Sequence, residues 1–137
     1  MYMRFLLSML AVALCTAGLG WSQATTSLRG TVFDKAGAVI PGASVTLTNQ
    51  ETLNKRTTLS DDAGVYQFLA TPPGTYQVSV EMKGFQTLIQ NKVVLQVNTP
   101  ATLDTVLEIG QVGEVVNVEG GVTAVNTVDA TIGNAFT

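Results

Sequence analysis

From residue 75 to 82 the chain alternates without a break. Tyr76, Val78, Val80 and Met82 fall on one side; Thr75, Gln77, Ser79 and Glu81 fall on the other. A period of two held this long belongs to a strand with one wet face, not to a helix. A second aromatic and β-branched run, Val65-Tyr66-Gln67-Phe68-Leu69, lies just upstream and suits a half-buried strand. Between the two, Pro72-Pro73-Gly74 ends ladder bonding and turns the chain. Asp61-Asp62-Ala63-Gly64 precedes both, pairing Asx-type turn formers with a glycine free to take positive φ. Two strands around so short a turn predict an antiparallel hairpin, and the rest of the chain is organised about it.

The flanking segments repeat the pattern. Residues 27–33 form a strand with Leu28, Gly30 and Val32 on one face, followed by turns at Asp34-Lys35-Ala36-Gly37 and Ile40-Pro41-Gly42. Residues 43–50 turn Ala43, Val45 and Leu47 inward, 51–54 form a hairpin tip, and 55–60 return. Lys83-Gly84-Phe85 breaks the alternation and lets Phe85 fold back onto the core. Residues 87–91 read as a weak extended segment, 92–98 as a strand facing Val93, Leu95 and Val97 inward, and 101–109 as another carrying Leu103, Thr105, Leu107 and Ile109. Nowhere past the N-terminus does an apolar stripe of helical period persist. About seven short strands bounded by Gly, Pro and Asp turns predict an all-β, two-sheet sandwich.

The two ends differ from this middle. Arg4 precedes a nearly continuous apolar run over 5–20, and Ser22-Gln23-Ala24 offers small residues where a signal peptidase reads. The run is shorter than a spanning helix needs and no stop-transfer charge follows it. Residues 1–24 are therefore expected to be a signal peptide cleaved after Ala24, with no transmembrane segment in the mature chain. Cys15, the only cysteine, lies inside that signal, and the bulk of Leu14 before it argues against lipidation. The mature chain thus has no disulfide and must rest on its core. Beyond Gly110-Gln111-Val112-Gly113, residues 114–119 form one more short strand with Val116 and Val118 on one side. After Gly120-Gly121, residues 122–137 read as a linker. The domain organisation expected is 1–24 signal, 25–110 sandwich, and 111–137 short strand and linker.

Composition excludes most chemistry. The 137 residues contain no histidine, which removes Ser–His–Asp and Cys–His catalysis and the usual zinc, copper and haem ligands. Asp61-Asp62 is the one close carboxylate pair, but adjacent turn residues point apart, and turn formation accounts for them. Calcium binding by Asp34, Asp61 and Asp62 lacks the alternating ligand spacing of a calcium loop. No glycine-rich loop opens a helix to hold phosphate. Without Arg4 there remain six basic and ten acidic residues, net −4. Lys55-Arg56 is the only basic pair, so nucleic-acid binding is not expected. The chain is read as a non-enzyme with no cofactor, no metal ligands and no catalytic residues. Tyr66, Phe68, Tyr76 and Phe85 are read as core. A sugar-binding platform would instead require two of Trp21, Tyr66, Tyr76 and Phe85 exposed side by side.

Gly30-Thr31-Val32, Asp34, Gly37 and Ile40-Pro41-Gly42-Ala43 with Val45 resemble the opening of a carboxypeptidase regulatory-like domain. Residues 61–66 with Phe68, then Pro73-Gly74-Thr75-Tyr76 with Val78 and Val80, then Gly84-Phe85, match the rest of that pattern. The resemblance runs from Thr26 to about Ile109 and implies a seven-stranded prealbumin-like (transthyretin-like) sandwich, often grouped with carbohydrate-binding-like folds. Glu114-Val115-Val116-Asn117-Val118, Val125-Asn126-Thr127 and Asp129-Ala130-Thr131-Ile132-Gly133 are similar to the lead-in of Oar-like TonB-dependent outer-membrane receptors. There a signal and this sandwich precede a plug and a barrel, so a fragment, a truncated form or a free-standing relative of such a receptor is expected. A related family crosslinks itself through Lys–Asn isopeptide bonds, but Arg29 stands where the lysine would be needed.

The resemblances imply an accessory domain of a TonB-dependent outer-membrane receptor, exported to the periplasm or outer membrane and contacting a protein partner there. The alternative is an exported carbohydrate-binding module with a carbohydrate partner. Mass spectrometry of the exported protein should show Thr25 as its first residue. A retained Met1, or a diacylglyceryl group on Cys15, would overturn the signal reading.

Overall fold

Alternating apolar residues force each strand to bury one face, and two sheets solve this by closing on a shared core. The computed structural model describes residues 2, 3, 20, 22–111, 113–120, 123 and 124. The apolar run over 5–19, Cys15, Trp21 and residues 125–137 lie outside the described residues, and with them most of the signal and linker expectations.

Ten strand segments follow one another: β1 (Thr26–Asp34), β2 (Ser44–Asn49), β3 (Lys55–Leu59), β4 (Val65–Thr71), β5 (Gly74–Glu81), β6 (Thr87–Leu95), β7 (Ala101–Thr102), β8 (Thr105–Leu107), β9 (Val115–Glu119) and β10 (Thr123–Ala124). One sheet has the order β10-β7-β1-β4, with β8 also on β1; the other has the order β3-β2-β5-β6-β9. The all-β sandwich expected from the alternation is present. Its strand count exceeds seven because β9 and β10 come from beyond residue 110, and because the 101–109 strand is split in two. The split has a local cause. Leu103 donates its amide to Arg29 (2.8 Å) and Asp104 Oδ1 accepts the amide of Thr31 (2.8 Å), so a side chain replaces one rung of the parallel ladder. Leu103, Thr105 and Leu107 are buried, whereas Ile109, at the end of the same alternation, is 83% exposed.

The expected hairpin between β4 and β5 does not form. β4 pairs with β1 in one sheet, whereas β5 pairs with β2 and β6 in the other. A two-residue hairpin turn needs positive φ at its first central position, and a proline ring holds φ near −65°. Pro72-Pro73 therefore cannot return the chain beside itself and carries it across to the opposite sheet. The Tyr76 hydroxyl donates to the Pro72 carbonyl (2.7 Å) and fastens this corner.

β6 joins what the alternation divides into 87–91 and 92–98. Its register shifts opposite Tyr76 and Val78, and Lys92 sits at φ 55°, the signature of a bulge. The extra residue changes which parity faces inward: Leu88 and Gln90 are buried before it, Val93 and Leu95 after it. Two turns share one Asp-x-Ala-Gly pattern and one geometry. In Asp34-Lys35-Ala36-Gly37, Asp34 Oδ1 accepts the amides of Ala36 and Ala38; in Asp61-Asp62-Ala63-Gly64, Asp61 Oδ1 accepts those of Ala63 and Val65, all at 2.9 Å. Gly37 and Gly64 complete these turns at φ 86° and 73°. The β2–β3 hairpin tip is where the sequence places it, capped by Asn49 Oδ1 accepting the amides of Glu51 (2.8 Å) and Thr52 (3.0 Å).

At the centre, Tyr66 is buried to 1% exposure and its hydroxyl donates to the Leu103 carbonyl. Burial, reinforced by the charge of Asp104, pushes its pKa above the ordinary phenol value. Gly30 lies under this bond: a Cβ there would stand 1.8 Å from the Leu103 oxygen and 2.6 Å from the Tyr66 hydroxyl.

Tyr76→Ala, emptying a site only 4% exposed, should cost ~3–5 kcal/mol in urea melts. Thr75→Ala, on the wet face, should stay within roughly 0.5 kcal/mol; equal effects would refute the face assignment. Gly30→Ala should cost about 3 kcal/mol or more, and Tyr66→Phe about 1–3 kcal/mol because a buried carbonyl loses its donor. Because the folded pKa of Tyr66 is raised, its contribution is whole below about pH 10 and falls as pH rises above it. Tyr66→Phe should flatten that alkaline loss in melts across pH, and an unchanged slope would refute the assignment.

Candidate functional site

The residues weighed for chemistry serve the fold. Asp34 and Asp61 spend their carboxylates on turn amides, and Asp62 is exposed beside the second turn. Among the described residues, no three His, Cys, Asp or Glu side chains gather to hold a metal ion. Tyr66, Phe68 and Tyr76 are core residues, and Phe85 is half-buried and packed against them. The aromatic pair a sugar platform would need is therefore not supplied by Tyr66 and Tyr76. Ala24 is exposed and outside any strand, just ahead of β1. Among the described residues, no helix is long and apolar enough to cross a membrane.

What the fold leaves unsatisfied is an edge. β9 is short, and its Val-Val-Asn-Val run is a strong strand former. It adds to the second sheet parallel to β6, in register from Thr87 opposite Val115 to Asn91 opposite Glu119. Polar ties fix it there. Glu114 accepts the Thr87 amide (2.9 Å) through its carbonyl and the Gln86 Nε2 (2.7 Å) through its carboxylate. Lys92 Nζ reaches the Glu119 carboxylate at 3.2 Å. The buried side chain of Gln90 donates to the carbonyl of Gly120.

This strand is nonetheless uncovered. Val115, Val116 and Val118 are 49%, 37% and 38% exposed, and among the described residues nothing pairs with its outer edge. Val116 and Val118 look into a groove of about 150 Å³ that Leu88 and Val106 also line. The opposite edge of the sheet is guarded. β3 carries Lys55 and Arg56 along it, and Arg56 Nη1 donates to the Leu69 carbonyl (2.9 Å) on the edge of β4. Charged residues on an edge discourage further strand pairing. β9 has no such guard at its centre, so its free backbone groups and the groove beside them suit an added strand with apolar side chains. The sequence marks this strand; its openness depends on a register with β6 that local pattern does not reveal.

Comparison with known proteins bears on this geometry. Residues 27–108 match the family model described as the carboxypeptidase regulatory-like domain. No curated protein sequence matches the chain. Among solved structures, a candidate carbohydrate-binding protein from Bacteroides uniformis superimposes with a TM-score of 0.52 at 18% identity, over 61% of this chain and 41% of its own. The Bacillus anthracis TIE protein gives a TM-score of 0.55 at 20% identity, over 63% of this chain and 17% of its own. A type II cohesin–X-dockerin complex from Acetivibrio cellulolyticus gives 0.50 at 15% identity, over 62% of this chain and 58% of that one. At these identities the likeness is one of fold alone. The chain spans less than two thirds of the length of each.

Proposed function

The chain belongs to the carboxypeptidase regulatory-like domain family, and from that premise we propose that it is a non-catalytic interaction domain that binds a protein partner along β9. The single observation carrying this is the open edge of Val115–Glu119, apolar, uncovered and anchored by Gln90 and Gln86. An accessory domain needs a surface that is rigid before binding and unsatisfied until it binds, and β9 meets both conditions. The setting we propose is the periplasm or outer membrane, at the N-terminus of a TonB-dependent receptor. The lead-in of residues 114–119 and the signal-like N-terminus support that setting. The partner is then the receptor's plug or a protein beside it. The rival reading, an exported carbohydrate-binding module, is disfavoured by the burial of Tyr66 and Tyr76, two of its four candidate stacking residues.

A photocrosslinking residue at Val116 tests the reading in producing cells, with Thr46 on the outer face of the same sheet as control. Val116 should yield a discrete product in the outer-membrane fraction and Thr46 should not. The reading frame beyond Thr137 should continue into plug and barrel sequence. Recovery of only uncrosslinked chain at Val116 would overturn the edge reading, and a soluble fraction with no downstream barrel would overturn the receptor setting.

A further inference from the structure

A second recognition feature lies at the far edge of the same sheet. The β2–β3 hairpin and the β4–β5 corner enclose a cleft of about 520 Å³. Its accessible wall is apolar: Ala70 and Pro72 are exposed along it, above the buried Leu47 and Tyr76. Its rim is cationic, with Lys55 and Arg56 the only charged residues that line it, although the chain as a whole carries a net charge of −3. Among the described residues, no carboxylate lies in this lining to neutralise them.

Arg56 is held in place rather than waving in solvent. Its Nη1 donates to the Leu69 carbonyl (2.9 Å) and to Thr71 Oγ1 (3.2 Å). Its guanidinium carbon stands 5.7 Å from the centre of the Phe68 ring, within cation–π range. Among the described residues Nε and Nη2 make no hydrogen bond, so part of the planar fork remains open to a ligand. A fixed fork of this kind matches the two oxygens of a carboxylate. Holding it beforehand removes much of the ordering cost of binding.

We propose that this cleft binds an organic carboxylate whose apolar body lies on Ala70 and Pro72 while its oxygens meet Arg56 and Lys55. The occupant is a carboxylate-terminated apolar group, of the kind a peptide C-terminus with an aromatic or aliphatic last residue presents. The site is independent of the β9 reading, because β3 and β9 are opposite edges of one sheet, and either can fail without the other.

Amide chemical shifts of the full chain, titrated with 3-phenylpropionate, 3-phenylpropanamide and inorganic phosphate, decide the matter. The carboxylate should give saturable shifts at Asn54, Lys55, Arg56 and Thr71, and the amide and phosphate should each bind about tenfold more weakly or worse. Lys55→Gln and Arg56→Lys, each checked for an unchanged fold by thermal melting, should weaken the carboxylate by a similar factor. A peptide ending in phenylalanine should bind with a free C-terminus and not when amidated. Equal binding of carboxylate and amide, binding of phosphate as tight as that of phenylpropionate, or no shift at these residues would each overturn the proposal. Should Arg56→Lys melt early, Lys55→Gln and the comparison of ligands on the unaltered chain still decide it.

Discussion

The sandwich depends on one crossing, where the Tyr66 hydroxyl reaches over Gly30 to the Leu103 carbonyl. Three strand segments meet there. β4 supplies the ring, β1 supplies the missing side chain, and the break between β7 and β8 supplies the acceptor. Without a Cβ at position 30 the phenol hydroxyl can pass close to the β1 backbone and satisfy a buried carbonyl. A buried donor and acceptor that find each other hold position far more firmly than apolar contact does, because separating them leaves both groups unpaired. The same crossing raises the Tyr66 pKa, since a phenolate there would be both desolvated and set against Asp104.

With this crossing the sandwich holds without a disulfide, since the chain has a single cysteine. Its charged residues are few, and the two ion pairs among the described residues, Lys35–Glu108 and Lys92–Glu119, are largely exposed and contribute little. Specificity of register falls instead to buried polar groups at the ends of strands. Ser60 is one: its hydroxyl accepts the Ala43 amide (2.8 Å) and donates to the Ile40 carbonyl (2.7 Å), fixing the loop before β2. Gln90 is another, fastening the end of β9.

The sequence analysis recovers most of what local pattern controls and loses what distance controls. β1, β2 and β5 are legible because each keeps one parity throughout, so the buried face follows from the letters alone. β6 is not, since the bulge at Lys92 reverses parity midway and makes one strand look like two. The Pro72-Pro73 corner is misread for a different reason: proline signals a turn, but only the prohibition on positive φ says that the turn cannot be a hairpin. The break in 101–109 is set by Asp104 reaching Thr31, 73 residues away, and no window of sequence contains that fact. At the candidate surfaces the parts are visible and the assembly is not. Lys55-Arg56 stands out as the only basic pair, yet its place over a cleft follows from which strand faces which corner.

Both surfaces arise from the same property of an open sandwich. A sheet that does not close into a barrel leaves two edges, and each must be paired, covered or charged. In the second sheet the chain treats its two edges oppositely. It charges β3, and it fixes that charge by bonding Arg56 to the edge carbonyl of β4, which blunts two edges with one side chain. Among the described residues, it leaves the outer edge of β9 unpaired. A bare edge is an aggregation liability, so its position needs a reason. Anchoring supplies one: Gln90 and Gln86 both spend hydrogen bonds holding β9 to the domain in an extended, exposed form. A strand needed only to end the domain would gain nothing from being held so, whereas a strand held extended before a partner arrives presents its edge without a further ordering cost.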